Sequence, residues 1–110
     1  MEIKIHDHKK SLVIQIFGNL DIYTSVELKA IFDKINIDTQ QPIILELSNL
    51  TYMDSSGMGT LIKITNIVQE KKAEFFLSGV KPAIQKIIKV AGLAGYFNIL
   101  SDDEYDSKIT

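Results

Sequence analysis

The stretch Ile43-Ile44-Leu45-Glu46-Leu47-Ser48-Asn49-Leu50-Thr51-Tyr52-Met53-Asp54-Ser55-Ser56-Gly57-Met58-Gly59-Thr60 decides how the whole chain is read. Ile43 to Leu47 is a short, almost unbroken apolar run, the pattern of a central buried strand. From Gly57 the period changes. Leu61, Ile64, Thr65 and Val68 then share one face of a helix that continues to about Lys72. A strand feeding a helix is the repeating unit of a parallel α/β sheet, and the flanking sequence supplies further copies.

Upstream, Ile3 and Ile5 alternate with Glu2, Lys4 and His6, as in a half-buried strand. After the polar break at His8-Lys9-Lys10, Ser11 to Phe17 places Leu12, Ile14 and Ile16 on one face and Val13 and Phe17 on the other. This second strand is expected to be covered on both sides. The two strands read as a hairpin, with Gly18 closing the second. Thr24-Ser25-Val26-Glu27 fits a capping box, followed by a helix with Leu28, Ile31, Phe32 and Ile35 in its buried stripe. Pro42 closes the loop before the central strand.

Downstream, Ala73 to Ser78 reads as a strand carrying Phe75 and Phe76. Pro82 suits the first turn of a helix whose core stripe is Ile84, Ile87, Ile88 and Ala91. Tyr96 to Leu100 is expected to be a last short strand, and Asp102 to Lys108 either a short acidic helix or a frayed tail. The predicted order is β-β-α-β-α-β-α-β, with an optional final helix. That is one α/β domain over residues 1–110, a mixed and largely parallel sheet with helices packed on it.

The balance of charge narrows the function. Twelve Lys and Arg against fourteen Asp and Glu give a net charge of −2, and the pI is about 5.6. Neither direct nucleic-acid binding nor attraction to anionic membranes is expected from such a surface. The absence of cysteine excludes disulfides, thiolate metal sites and a cysteine nucleophile. The N-terminal residues lack the apolar run of a signal peptide, and no segment has the roughly 20 apolar residues that span a bilayer. A cytoplasmic location follows as the expectation.

The junction before the second long helix is where chemistry is expected. Loops at the carboxyl ends of parallel strands form the crevice of such sheets. A helix N-terminus offers unpaired N–H groups and about half a positive charge. Asp54, Ser55 or Ser56 can cap this helix, and Gly57 and Gly59 permit a tight turn. A phosphate on a serine at this place would meet the same donors. Spacing alone leaves cap and modification site both open. Ile62 stands where a dinucleotide fingerprint needs its third glycine, and a P-loop lysine is missing, so a nucleotide site is not expected. Met58 and Ile62, four residues apart, form either an apolar contact patch beside Ser55 or the edge of the core. His6 and His8 lack a third ligand for zinc. No Gly-x-Ser-x-Gly elbow surrounds Ser55 or Ser56, and no enzymatic activity or cofactor is expected.

Met53-Asp54-Ser55-Ser56-Gly57-Met58-Gly59, following the Ile-Leu-Glu-Leu strand and Asn49-Leu50, resembles the signature of the STAS domain. The likeness is nearest to bacterial anti-sigma factor antagonists of sporulation and general stress systems. Gly18-Asn19-Leu20-Asp21, Pro82-Ala83-Ile84 and Ala91-Gly92-Leu93 extend the resemblance nearly end to end. It implies that Ser55 is phosphorylated by a partner that is both serine kinase and anti-sigma factor. Ser56 would then be its neighbour and the helix cap, and Asp21 a docking residue on the same surface. Asp54, Ser55, Ser56, Gly57, Met58, Gly59 and Ile62 would make up the rest of the partner-binding surface. The resemblance also implies that the unphosphorylated form binds the anti-sigma factor, that phosphorylation breaks the complex, and that a phosphatase restores it. Two other roles fit the same sequence: a STAS module of another signalling or lipid-transport assembly, and a small-ligand or nucleotide-binding domain using the Gly57/Gly59 turn.

Overall fold

Alternating apolar side chains pair β1 (Glu2–Asp7) with β2 (Leu12–Leu20) as an antiparallel hairpin in the computed structural model, which describes residues 1–110. α1 (Ile22–Lys34) then crosses over to β3 (Ile43–Glu46), which lies parallel to β2. β4 (Leu50–Met53) returns to β2, also in parallel, and leads into α2 (Ser55–Glu70). β5 (Phe75–Ser78) adds to β3, followed by α3 (Pro82–Val90) and α4 (Asp102–Ile109). The sheet is mixed and largely parallel, as expected.

The pleat sorts side chains to two faces. Ile14, Ile16, Leu45 and Leu77 meet Leu28 and Phe32 of α1, Leu61, Ile64 and Val68 of α2, and Ile84 and Ile88 of α3 in the main core. The alternate residues Val13 and Ile44 cluster on the opposite face with Leu100, and Phe76, Tyr105 and Ile109 close over them. β2 is therefore buried on both sides. α4 is the element that covers its second face, held by a capping box between Ser101 and Glu104. This settles the open alternative for the last residues in favour of a helix. Lys108 lies 4.4 Å from the centre of the Phe76 ring. Burial pushes the Tyr105 phenol up from its ordinary value, with the Glu46 and Asp106 carboxylates adding to the shift.

Several sequence expectations need correction. β2 does not stop at Gly18. It shifts register between Gly18 and Asn19, with Gly18 at φ +96°, and continues to Leu20. β2 pairs with β3 through Leu12–Gln15 and with β4 from Gly18 onward; the shift falls inside the β4 pairing, where Thr51 of β4 is the extra residue and Leu20 is brought level with Met53. β4 itself was not foreseen, because its half-exposed pattern is only four residues long. Thr24 is not the N-cap of α1. Asp21 is, and Thr24 occupies the third helical position of that box. Tyr96 to Leu100 is reduced to a single bridge between Ile99 and Leu77, the turn at Leu93–Tyr96 using up the chain before it. Ile87 and Ala91 are exposed rather than in the core, since a nine-residue α3 meets the sheet only along Ile84 and Ile88.

Removing residues 102–110 is expected to lower unfolding free energy by about 2–4 kcal/mol, the scale of exposing one or two large apolar side chains. Urea denaturation would show the loss, and the uncovered Val13–Ile44–Phe76 face should bind a hydrophobic dye. An unchanged midpoint would mean that α4 adds nothing to this face.

Candidate functional site

β2 and β4 run parallel and finish level, with Leu20 opposite Met53. The next residue on each strand is an aspartate with extended backbone that caps the helix it precedes: Asp21 for α1 and Asp54 for α2. Two helix N-termini thus open side by side at one edge of the sheet. The shared edge sets the two capping aspartates, Asp21 and Asp54, at the starts of neighbouring helices.

Asp21 Oδ1 accepts hydrogen bonds from the backbone N–H groups of Tyr23 at 2.9 Å and Thr24 at 3.0 Å. The Asp21 N–H donates in return to Thr24 Oγ1 at 2.8 Å. The Thr24 N–H bond first, helped by those from Tyr23 and the Thr24 hydroxyl, holds the Asp21 carboxyl below its ordinary 3.8. At α2 the Gly57 N–H donates to Asp54 Oδ1 at 3.0 Å, and the Asp54 N–H donates to the Leu20 carbonyl at 3.3 Å. The cap is therefore Asp54, not Ser56. Ser55 is the first helical residue and exposed, whereas Ser56 is the second and half-buried. Asp54 wins because it is the last extended residue, from which a carboxylate reaches the third helical N–H.

Gly57 is required by proximity. A Cβ built there would lie 2.5 Å from the Leu20 carbonyl oxygen and 2.7 Å from Met53 Cγ. The first turn of α2 consequently sits directly on the ends of β2 and β4. Gly59 faces open space, and its absent side chain leaves room beside Ser55.

A groove of about 690 Å³ runs between α2 and α3. Ser55, Met58 and Ile62 line its α2 wall, Lys86, Ile87 and Val90 its α3 wall, and Tyr52 and Asp54 its end. Met58 is buried in the core margin and Ile62 is half-buried, so the pair sits at the edge of the core, and it also lines this groove. Ser56 belongs to a separate cleft between α1 and α2, shared with Ser25, Thr60 and Lys63.

The α3 wall was beyond sequence reasoning. The helical stripe assigns Ile87 to the core, and Lys86 and Val90 carry no local signal of proximity to Ser55. The exposed Ile22, Tyr23 and Val26, 61%, 81% and 70% accessible, were likewise missed. Their signal was present, since all three fall off the Leu28–Phe32 stripe. His6 Nε2 pairs with Gln15 Oε1 at 2.8 Å, and no three His, Cys, Asp or Glu side chains gather to hold a metal.

Comparison with known proteins places these features in a family. The family model described as "STAS domain" matches residues 1–105. The Anti-sigma-B factor antagonist of Staphylococcus aureus is 24% identical over 106 residues, covering 96% of this chain and 98% of that protein. The Anti-sigma F factor antagonist of Paenibacillus polymyxa is 29% identical over 94 residues, covering 84% and 80%. Among solved structures, the Bacillus cell fate determinant SpoIIAA in its phosphorylated form superposes with a TM-score of 0.71 at 20% identity, covering 99% of this chain and 100% of that one.

Gly57→Ala should destabilise the fold by about 1–3 kcal/mol through overpacking. Gly59→Ala should stabilise it by up to about 1 kcal/mol through helix propensity. Thermal unfolding of the two variants checks both signs. Asp21 is ionised more readily folded than unfolded, so its cap supports stability fully above the ordinary carboxylate range. That support is lost as pH falls below 3.8 through the lowered folded value. Asp21→Asn keeps an acceptor for the two N–H groups and should flatten this part of the acid transition while holding Tm near wild type at pH 7. Asp21→Ala should lower Tm at pH 7 as well.

Proposed function

The chain belongs to the STAS domain family, and from that footing we propose that it is an anti-sigma factor antagonist switched by phosphorylation of Ser55. The observation that carries this reading is an exposed hydroxyl at the first position of α2, beside an apolar groove and next to the Asp21-capped start of α1. The names of the Staphylococcus and Paenibacillus relatives support the same role.

In this reading the unphosphorylated protein docks an anti-sigma factor over Asp21, Asp54, Ser55, Ser56, Gly57, Met58, Gly59 and Ile62, and the sigma factor is released. Docking takes place in the cytoplasm, where the transcription machinery is. The anti-sigma factor is also the kinase and brings ATP. Its base removes the Ser55 hydroxyl proton while Oγ bonds to the γ-phosphorus and the bond to the β-phosphate oxygen breaks. The chain is a substrate and contributes no catalysis. A separate phosphatase hydrolyses the phosphoserine and restores the docking form.

The switch is electrostatic and local. The phosphate adds about −1.5 to −2 charge next to Asp54. Neither α1 nor α2 has an acidic residue in its first turn, so the positive ends of both helix dipoles favour the added charge in the free protein. Covering that charge with a partner's surface removes its water, and each 1.4 kcal/mol of penalty is a tenfold loss of affinity.

Ser55→Ala should bind the anti-sigma factor as wild type does and take no phosphate, and Ser55→Asp should bind at least tenfold more weakly. Titration calorimetry with the cognate kinase, and mass spectrometry after incubation with ATP, measure the two effects. Phosphate found on Ser56 instead, or equal binding by the Asp variant, would overturn the assignment.

A further inference from the structure

We propose that Lys86, across the groove from Ser55, is the counter-ion of the phosphate that Ser55 carries. The pairing rests on Ser55 being the modified residue, and it adds what the modified state does within the molecule. Two fully charged side chains line the groove, Asp54 and Lys86, with the Tyr52 phenol at its end. The Asp54 carboxylate already accepts from the Gly57 N–H. Lys86 makes no salt bridge: the ion pairs of the chain are those of the N-terminal amine with Glu27 and of Lys29 with Asp33. Its ammonium is exposed on the second turn of α3 and has four carbons of reach.

A dianion on Ser55 changes the balance of this groove. Before modification the cation has no partner and Asp54 is committed to its helix. Afterwards the phosphate and the ammonium face each other from opposite walls, and bringing them together joins α2 to α3. The pair would lie over Ile87 and Tyr52, both partly exposed in the unmodified protein. Phosphorylation therefore works in two ways: it adds repulsive charge, and it draws a side chain over the apolar lining a partner would use. Lys63 is not an alternative partner, because it lines the α1–α2 cleft with Ser56. Lys89 does not line the Ser55 groove; it borders a neighbouring depression on α3 that Lys86 and Val90 share.

The test uses the full chain with phosphoserine installed at position 55 during translation, so that no kinase is needed. Phosphorus NMR then follows the second ionisation of the phosphate in wild type, Lys86→Gln, Lys86→Arg and Lys89→Gln. An ammonium about 5 Å away in a watery groove should lower that ionisation by about half a pH unit. Lys86→Gln should remove the shift, Lys86→Arg restore it, and Lys89→Gln leave it in place. A value unchanged by Lys86→Gln, or moved equally by Lys89→Gln, would overturn the pairing. Failure of a kinase to modify Ser55 would instead overturn the reading on which it rests, and the two failures are read in different experiments.

Discussion

The site depends on one constraint: two parallel strands, β2 and β4, stop at the same level. Leu20 and Met53 are register partners, and each is followed by an aspartate that turns the chain into a helix. From this single alignment come the neighbouring N-termini of α1 and α2, the exposure of Ser55 and the seat of Gly57 against Leu20. Without the register shift after Gly18, Leu20 would face Tyr52 instead of Met53 and the two helices would start one residue out of step. The register shift that follows the left-handed Gly18 therefore acts at a distance from the serine, by bringing Leu20 level with Met53.

Charge is distributed unevenly over the helix starts. α4 has Asp102, Asp103 and Glu104 in its first turn, which complement its own dipole. α1 and α2 have none, and each relies on one capping aspartate. The carboxylates of Asp21 and Asp54 answer the two neighbouring dipoles from the strand ends, which leaves the first helical turns themselves free of acidic side chains despite a net charge of −2. The overall charge describes solubility, and the local arrangement describes the site.

Much of the fold was legible because its signals are periodic and local. The apolar stripe of α2, the β-rich run at Ile43–Leu47 and the two-faced pattern at Leu12–Phe17 each identify an element by themselves. The misses share a different cause. β4 is four residues with two exposed, and the bridge at Ile99 exists only because Leu77 is there to accept it. Asp21 outcompeted Thr24 as a cap because Ile22 and Tyr23, though apolar and exposed, could still extend the helix forward by a turn. Of the candidate site, the α2 half was readable from Asp54-Ser55-Ser56-Gly57. The α3 half was not, since the position of Lys86 and Val90 is fixed by how α3 crosses the sheet. No residue near them in sequence records that crossing.

The half-exposed ring of Tyr52 at the end of the groove has an optical consequence. The chain contains four tyrosines and no tryptophan, so its ultraviolet emission comes from phenols alone. A binding partner that carries an indole would be an energy acceptor for that ring, and excitation of the pair would report occupancy without any attached dye.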